Sequence, residues 1–242
     1  RVSRGLGDVY KRQDLKHVAY YTLAFFIGSV IRVPLRSISF ISSPLIAQYF
    51  EKKDFKNIQS IYSKTSINLL IFGGVVFLCI MLNIDDILNL LPEKFSQGKY
   101  VVLFIGLAQL VNLLSGNHNL ILVHSPFYKS IIFFNLFLLS ITFLTNVILI
   151  PIYGINGAAL ATFISIFIFN FLRMYYVYLK LNFHPFSVKT LIAILTLVII
   201  FFGINYLPFT NIRLVDILIR SLISCILVAF SVHYFNPVSY TH

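Results

Sequence analysis

The sequence predicts an all-α integral membrane protein, built as a bundle of about seven transmembrane helices. Hydrophobic residues make up 58% of the chain and charged residues only 11%, whereas a soluble domain carries about 25% charged residues. The mean hydropathy is +0.87. Residues 130–172 contain no Asp, Glu, Lys or Arg. At about 1.5 Å per residue, a helix of that length is too long to cross a ~30 Å hydrocarbon core only once.

The predicted helices are apolar runs that are long enough to cross a bilayer. They cover residues 18–50, 61–84, 100–123, 129–150, 155–179, 191–207 and 214–235. The first run is longer than one straight crossing and contains Pro34 and Pro44, so we expect it to be tilted and kinked. In the longest loop, residues 85–92 have an apolar spacing that predicts a short interfacial helix. No loop is long enough to hold a soluble catalytic domain.

The two ends of the chain differ in character from everything between them. Residues 1–13 resemble the translation of a sequencing-library adapter, and residues 237–242 resemble the same adapter read from the opposite strand. We therefore interpret both ends as non-native and exclude them from the fold prediction. The transmembrane domain is predicted to cover residues 14–236. Because the chain has no initiating Met and no signal peptide, we expect it to be an internal fragment of a longer gene.

The distribution of Lys and Arg predicts the orientation of the spans. If the loop between the first two spans is cytoplasmic, that side carries eight basic residues and the opposite side carries four. The cytoplasmic set is Lys52, Lys53, Lys56, Lys64, Lys129, Arg173, Lys180 and Lys189, and the opposite set is Lys16, Lys94, Lys99 and Arg213. Cytoplasmic loops are enriched in Lys and Arg, so this orientation is favoured.

Arg32 and Arg36 lie four residues apart near the middle of the first span, and therefore on one face of its helix. An arginine at membrane depth costs roughly 2.5–3.5 kcal/mol on insertion scales, so the pair must face a polar cavity or a partner. One interpretation is a cationic wall for an anionic substrate, since Arg offers a fixed set of donors that suits phosphate. The alternative is a structural pair, satisfied by backbone carbonyls or by acidic residues in another part of the protein.

The sequence carries no motif for a cofactor, a metal or a catalytic group. It contains no Gly-rich phosphate loop and no set of Ser, His and Asp that can be placed together. Cys79 and Cys225 lie in apolar runs without metal-ligand spacing, and we interpret them as apolar thiols. We therefore predict a protein that is not an enzyme and needs no cofactor or metal. The net charge of +11 favours anionic lipid head groups or an anionic substrate as partners, and not nucleic acid.

Asparagines within or near the spans are predicted to form hydrogen bonds between helices, which stabilise packing in the membrane. They are Asn112, Asn117, Asn119, Asn135, Asn146 and Asn170. His118, near the end of the third predicted span, is interpreted in the same way, as a structural residue.

The turn that divides the charge-free segment carries the most specific motif of the chain. Residues 146–162 read NVILIPIYGINGAALAT, which is similar to the N-x-x-L-I-P-x-Y-G-I-x-G-A-A-x-A-T turn of bacterial polysaccharide-export flippases. Because Pro and Gly interrupt helices, Pro151, Gly154 and Gly157 are predicted to form a structural turn between two antiparallel spans. Supporting similarity lies in residues 31–37, 44–48 and 83–92.

The resemblance is to the multidrug/oligosaccharidyl-lipid/polysaccharide superfamily, and it extends over residues 17–236. It implies that the chain is the second half of a two-bundle flippase whose partner is the missing first half of the same protein. The first span would line a central cationic cavity, with Arg32 and Arg36 as the substrate-binding residues. The whole protein would move undecaprenyl-diphosphate-linked oligosaccharide across the bacterial inner membrane for O-antigen, capsule or exopolysaccharide assembly.

Two other functions remain open. A cation-coupled multidrug exporter of the same superfamily would be expected to carry a carboxylate inside a span. Asp216 is the candidate, and it lies near the start of the last predicted span. A membrane-embedded polysaccharide polymerase or ligase would be expected to have a large loop with catalytic charges outside the membrane. No loop of that length is predicted.

Overall fold

The computed structural model describes residues 18–90, 98–206 and 213–235, and every regular element within those ranges is helical. The helices are α1 (Val18–Glu51), α2 (Phe55–Leu82), α3 (Ile84–Asn89), α4 (Lys99–Leu114), α5 (His118–His124), α6 (Ser130–Leu181), α7 (Val188–Asn205) and α8 (Arg213–Phe235). The predicted all-α class is confirmed. The proposed non-native ends, residues 1–13 and 237–242, lie outside the described ranges.

The helices have the length and composition of membrane spans. Five of the described helices (α1, α2, α6, α7 and α8) are long and apolar enough to cross a membrane, and α4 and α5 together form a sixth candidate that is bent by 47°. Large apolar side chains cover the outer surface; Phe133 and Phe143, for example, are 69% and 67% exposed. Because so much exposed apolar surface requires an apolar solvent, the chain is a multi-pass membrane protein.

Helix α6 folds back on itself at Gly154, which has φ 57° and ψ −132°. Oγ1 of Thr145 lies 2.9 Å from Oγ of Ser165, and the rings of Phe134 and Tyr176 are 5.3 Å apart. In a continuous helix, Thr145 and Ser165 would be separated by about 30 Å, and Phe134 and Tyr176 by about 63 Å. The chain therefore forms two antiparallel helical arms, residues 130–153 and 155–181, with a sharp turn between them.

Helix α1 changes its helical geometry near its centre, where a 3₁₀ turn lies between two α-helical segments. A 3₁₀ turn, Val30–Arg32, interrupts the α-helix directly before Pro34, whereas Pro44 lies within an unbroken helical segment. Proline removes a backbone donor and crowds the preceding turn, which accounts for the interruption on the N-terminal side of Pro34. Arg32 therefore lies at the junction of the 3₁₀ turn and the α-helical segment that follows it.

Two helices begin earlier than the predicted spans that they contain, and a third predicted span is interrupted. Helix α2 begins at Phe55 and not at residue 61, because Asp54 caps it by accepting the N–H of Asn57 (3.2 Å). The third span, predicted as continuous over residues 100–123, is broken between α4 and α5 at Gly116, which has φ +57°. Helix α7 begins at Val188 and not at residue 191, because Ser187 and Thr190 form a capping box.

Helix α2 is central to the bundle and packs against α1, α4, α7 and α8. Two apolar clusters lie at opposite ends of this arrangement. One contains Ile46, Ile58, Tyr62, Ile121, Leu122, Val177 and Phe183, and the other contains Ala24, Met81, Ile84, Leu88, Val101, Val102, Ile105 and Ala159. The central segments of α1 and of the second α6 arm, together with the α4–α5 break, therefore lie between two packed apolar layers.

A polar seam joins α8 to the end of α2. Nδ2 of Asn83 donates to Oγ of Ser221 (3.2 Å), and Sγ of Cys79 lies 3.7 Å from Oγ of Ser224. Arg220 donates to the carbonyl of Leu82 (2.9 Å) and pairs with Asp86 at 3.4 Å. These contacts fix the position of the last helix in a region where apolar packing alone gives little directional preference.

Candidate functional site

A polar cavity of about 280 Å³ lies between α1, the α4–α5 break and the second arm of α6. It is lined by Arg32, Leu35, Arg36, Ser39, Asn112, Gly116, Asn117, His118, Asn119, Leu120, Phe169, Asn170 and Arg173. By contrast, a cavity of about 320 Å³ between α2, α4, α6 and α7 is lined only by apolar residues and Gly74. The polar cavity is the candidate functional site because it gathers charge inside an otherwise apolar bundle.

Arg32 and Arg36 form one wall of this cavity. They lie one helical turn apart on α1, and both side chains are exposed in the described structure. Neither forms an ion pair with a carboxylate of the described residues. The structure thus places the two predicted site residues beside each other, on a surface that offers them no acidic partner.

Arg173 is a third guanidinium that lines the cavity, carried by the second arm of α6. It is only 5% exposed, its Nη2 donates to Oδ1 of Asn119 (2.7 Å), and its guanidinium carbon lies 5.1 Å from the ring centre of Phe169 and 5.9 Å from that of Phe134. Its Nε has no hydrogen-bond partner in the described part of the chain. Cation–π contacts of this kind are worth about 2 kcal/mol when desolvated, less than the several kcal/mol that burial of an ion costs.

Arg173 was counted among the basic residues of the cytoplasmic side, but it is buried in the bundle. The residue lies within α6, eight positions before the helix ends at Leu181, and burial removes it from the set of charges that face the aqueous phase. Without it, the basic residues still favour the predicted orientation by seven to four. The signal that was available in the sequence is the spacing of Phe169, Asn170 and Arg173, which places them on one helical face.

Neutral polar side chains complete the cavity wall. Nδ2 of Asn170 donates to Oδ1 of Asn112 (2.9 Å), and Oγ of Ser39 donates to Oδ1 of Asn117 (3.2 Å). These contacts join α6 to α4 and α1 to the break, which is the interhelical role that the sequence predicted for the asparagines. Asn117 Nδ2 and His118 Nε2 are buried and have no partner among the described residues.

The break between α4 and α5 brings non-helical backbone to the cavity. Gly116 has a positive φ, and a β-carbon there would lie 3.1 Å from Cβ of Ser66 on α2. Irregular backbone at membrane depth is tolerated where it is buried in protein or lines a polar cavity. Broken helices of this kind form substrate sites in many transporters.

The turn around Gly154 lies far from the cavity. Pro151 is within the first arm, and no atom lies within 4 Å of where a β-carbon of Gly154 would be. At Gly157, a β-carbon would overlap the carbonyl of Leu149. Gly157 and Arg173 are separated by about 24 Å along the helix, so the turn shapes the hairpin without contributing to the cavity.

The described residues contain no group of three or more His, Cys, Asp or Glu that could hold a metal ion. Cys79 and Cys225 are both free thiols, half-buried and exposed respectively. The chemistry of the cavity therefore rests on guanidinium, amide, imidazole and hydroxyl groups, which can bind an anion or a hydroxyl-rich group by hydrogen bonding.

The fold and the cavity together define an α-helical multi-pass membrane protein with a cationic cavity. Comparison with protein-family models, with curated proteins and with solved structures finds no match for this chain. The resemblance to polysaccharide flippases therefore stays a prediction, based on the residues of the Pro151–Gly157 turn and of the first span.

Proposed function

We propose that the chain forms part of a flippase that moves undecaprenyl-diphosphate-linked oligosaccharide across the bacterial inner membrane for polysaccharide assembly. The observation that supports this most directly is that Arg32 and Arg36 line one polar cavity whose described lining contains no carboxylate. A cavity with uncompensated positive charge, inside a protein that is otherwise apolar, favours an anionic ligand that enters from the membrane.

The physical basis is the energy of a phosphate group in a medium of low dielectric constant. Coulomb attraction between unit charges at 4 Å rises from about 1 kcal/mol in water to about 4 kcal/mol at an effective dielectric constant of 20. Guanidinium groups add paired hydrogen bonds to phosphate oxygens. The volume of about 280 Å³ lies near the lower end of ligand pockets, about 300–1,000 Å³, so it suits a head group while the hydrocarbon chain stays in lipid.

In this proposal the chain crosses the membrane seven times. The two arms of α6 cross separately, α4 and α5 form one bent span, and α1, α2, α7 and α8 cross once each. The exposed face of α1 that carries Arg32 and Arg36 would be covered by the missing first bundle of the protein, which would close the cavity on that side. This arrangement gives a central site that can face either side of the membrane in turn.

The topology is tested by single-cysteine labelling after Cys79 and Cys225 are replaced by Ser. Cysteines at Lys53 and Lys180 should react with a membrane-impermeant reagent from the cytoplasmic side, and a cysteine at Gln97 should react from the opposite side. Gln97 lies outside the described residues, so this position probes the sequence prediction alone. Labelling of Lys53 and Gln97 from the same side would rule out the proposed orientation.

The functional test uses Arg32→Ala and Arg36→Ala in the full-length protein. Each variant should abolish glycan export while membrane abundance stays near that of the wild type, because the arginines are exposed in the cavity and pack little. Lysine at either position should restore export in part, since it keeps the charge and loses the bidentate geometry. If the pair only braces the bundle, both alanine variants will be depleted from the membrane and export will fall in proportion.

The two alternatives have less support. A cation-coupled exporter needs an ionisable carboxylate linked to its substrate site. Asp216 is buried in α8 at 7% exposure but does not line the cavity. A polymerase or ligase needs catalytic charges in a long loop, and the loops between the described helices are short.

A further inference from the structure

We infer that Arg173 forms a second anion subsite, which binds one phosphate of a diphosphate head group while Arg32 and Arg36 bind the other. The inference rests on the proposed function and adds a third substrate-binding arginine to it. It predicts that the cavity distinguishes a lipid diphosphate from a lipid monophosphate.

The Arg173 side chain is a buried cation without an acidic partner among the described residues. It is almost fully buried, at 5% exposure, and forms no ion pair with any carboxylate of the described residues. A buried cation without a counter-charge is destabilising unless a ligand supplies one. Arg173 lines the cavity, so an anion bound there can supply that charge.

The Arg173 guanidinium is held by one hydrogen bond and by an aromatic ring. Asn119 accepts from Nη2 at 2.7 Å, and the ring of Phe169, which also lines the cavity, lies 5.1 Å from the guanidinium carbon. These two contacts use one of the five N–H donors and fix the plane of the group. A guanidinium held in this way retains donors for an anion and loses little entropy on binding it.

The three arginines line one cavity from two different helices. Arg32 and Arg36 lie on α1, whereas Arg173 lies on the second arm of α6, and all three line one cavity of about 280 Å³. In this inference one phosphate of a diphosphate binds to the α1 arginines and the second phosphate binds to Arg173. A monophosphate bound to the α1 arginines would lack that second contact.

The test measures binding of farnesyl phosphate and farnesyl diphosphate, which share one hydrocarbon chain, to the 242-residue chain in phosphatidylcholine nanodiscs. Wild type should bind the diphosphate at least tenfold more tightly, consistent with one additional charge-assisted interaction. Arg173→Gln should bring diphosphate affinity to within about twofold of monophosphate affinity and leave monophosphate binding unchanged. Arg173→Lys should keep part of the preference. Lys180→Gln, on the same helix but exposed, is the matched control and should behave as wild type.

The remaining outcomes separate this inference from the proposed function. If Arg173→Gln is folded and keeps the diphosphate preference, while Arg32→Gln and Arg36→Gln weaken binding of both ligands, Arg173 is a packing residue and only the inference fails. If none of the three arginines affects binding, or wild type binds neither ligand, both the inference and the proposed function fail. Circular dichroism melting reports folding. If Arg173→Gln does not fold, the Arg173→Lys variant is the test. A diphosphate preference equal to that of wild type in this variant overturns the inference.

Discussion

Two glycines with the same φ of 57° interrupt the helices of this protein, and their surroundings differ completely. Gly116 lies against Ser66 of α2, and the chain continues beyond it at a bend of 47°. Gly154 has no atom within 4 Å of a β-carbon position, and the chain reverses direction. One interruption forms part of a cavity wall, and the other forms the tip of a hairpin.

The difference shows that a positive φ permits a helix to be interrupted, and that the packing around the interruption determines whether the chain bends or reverses direction. At Gly116 the surrounding helices hold both flanking segments, so the freed polar groups face a cavity. At Gly154 no other helix lies within 4 Å of the β-carbon position, and contacts between the two arms determine where the second arm runs. We therefore expect substitutions at the break to affect both stability and ligand binding, and substitutions at the turn to affect stability alone.

The largest effect is expected for Gly157→Leu, just beyond the turn. A side chain there would overlap the carbonyl of Leu149, and since backbone cannot yield as a flexible side chain does, we expect a loss above about 4 kcal/mol. Folded protein in the membrane should fall to a small fraction of wild type. Gly203→Leu in α7, where a β-carbon meets nothing within 4 Å, is the matched control. Normal abundance of Gly157→Leu with abolished export would assign this glycine to the substrate path.

A smaller effect is expected for Gly116→Ala. The positive φ strains any residue with a β-carbon, and the added carbon would lie 3.1 Å from Cβ of Ser66. Together these effects should cost about 2–4 kcal/mol. The melting temperature should fall, and farnesyl diphosphate affinity should fall with it because the break positions Asn117 beside the cavity. Unchanged affinity in a destabilised but folded variant would show that the break and the ligand site are independent.

The smallest effect is expected for Gly154→Ala, about 1–2 kcal/mol, from backbone strain alone. There is space for the added carbon, and the turn lies far from the arginines. The melting temperature should fall slightly, and farnesyl diphosphate binding should match that of wild type. The distinction between the two interruptions would be wrong if this variant weakened binding as strongly as Gly116→Ala.

The reversal at Gly154 was predictable because Pro and Gly stand out in a long charge-free segment. The break at Gly116 was not, since Ser115, Gly116 and Asn117 are short, uncharged residues between apolar runs, and hydropathy alone joins α4 and α5 into one span. The interruption depends on packing against Ser66, which is distant in sequence.

The cavity arginines also differ in how far their positions could be predicted from the sequence. Arg32 and Arg36 are far from the ends of an apolar run, and the energetic cost of charge at that depth pointed to a polar cavity. Arg173 is near the end of its run, where a basic residue is usually in contact with water. Its burial follows from the hairpin, which brings the second arm of α6 against α4. That packing between helices could not be predicted from the sequence alone.

The polar seam between α2 and α8 imposes an order on the synthesis of this protein. Asn83 and its partner Ser221 are 138 residues apart, as are Leu82 and Arg220. At about 5–20 residues per second, the ribosome needs roughly 7–28 s to make the chain between them. During that interval the end of α2 is already in the membrane without the hydroxyl and guanidinium donors and acceptors of α8. Helix α8 thus completes the hydrogen bonding at the end of α2 only after it has been synthesised, and a nascent chain that stops before residue 220 lacks these contacts.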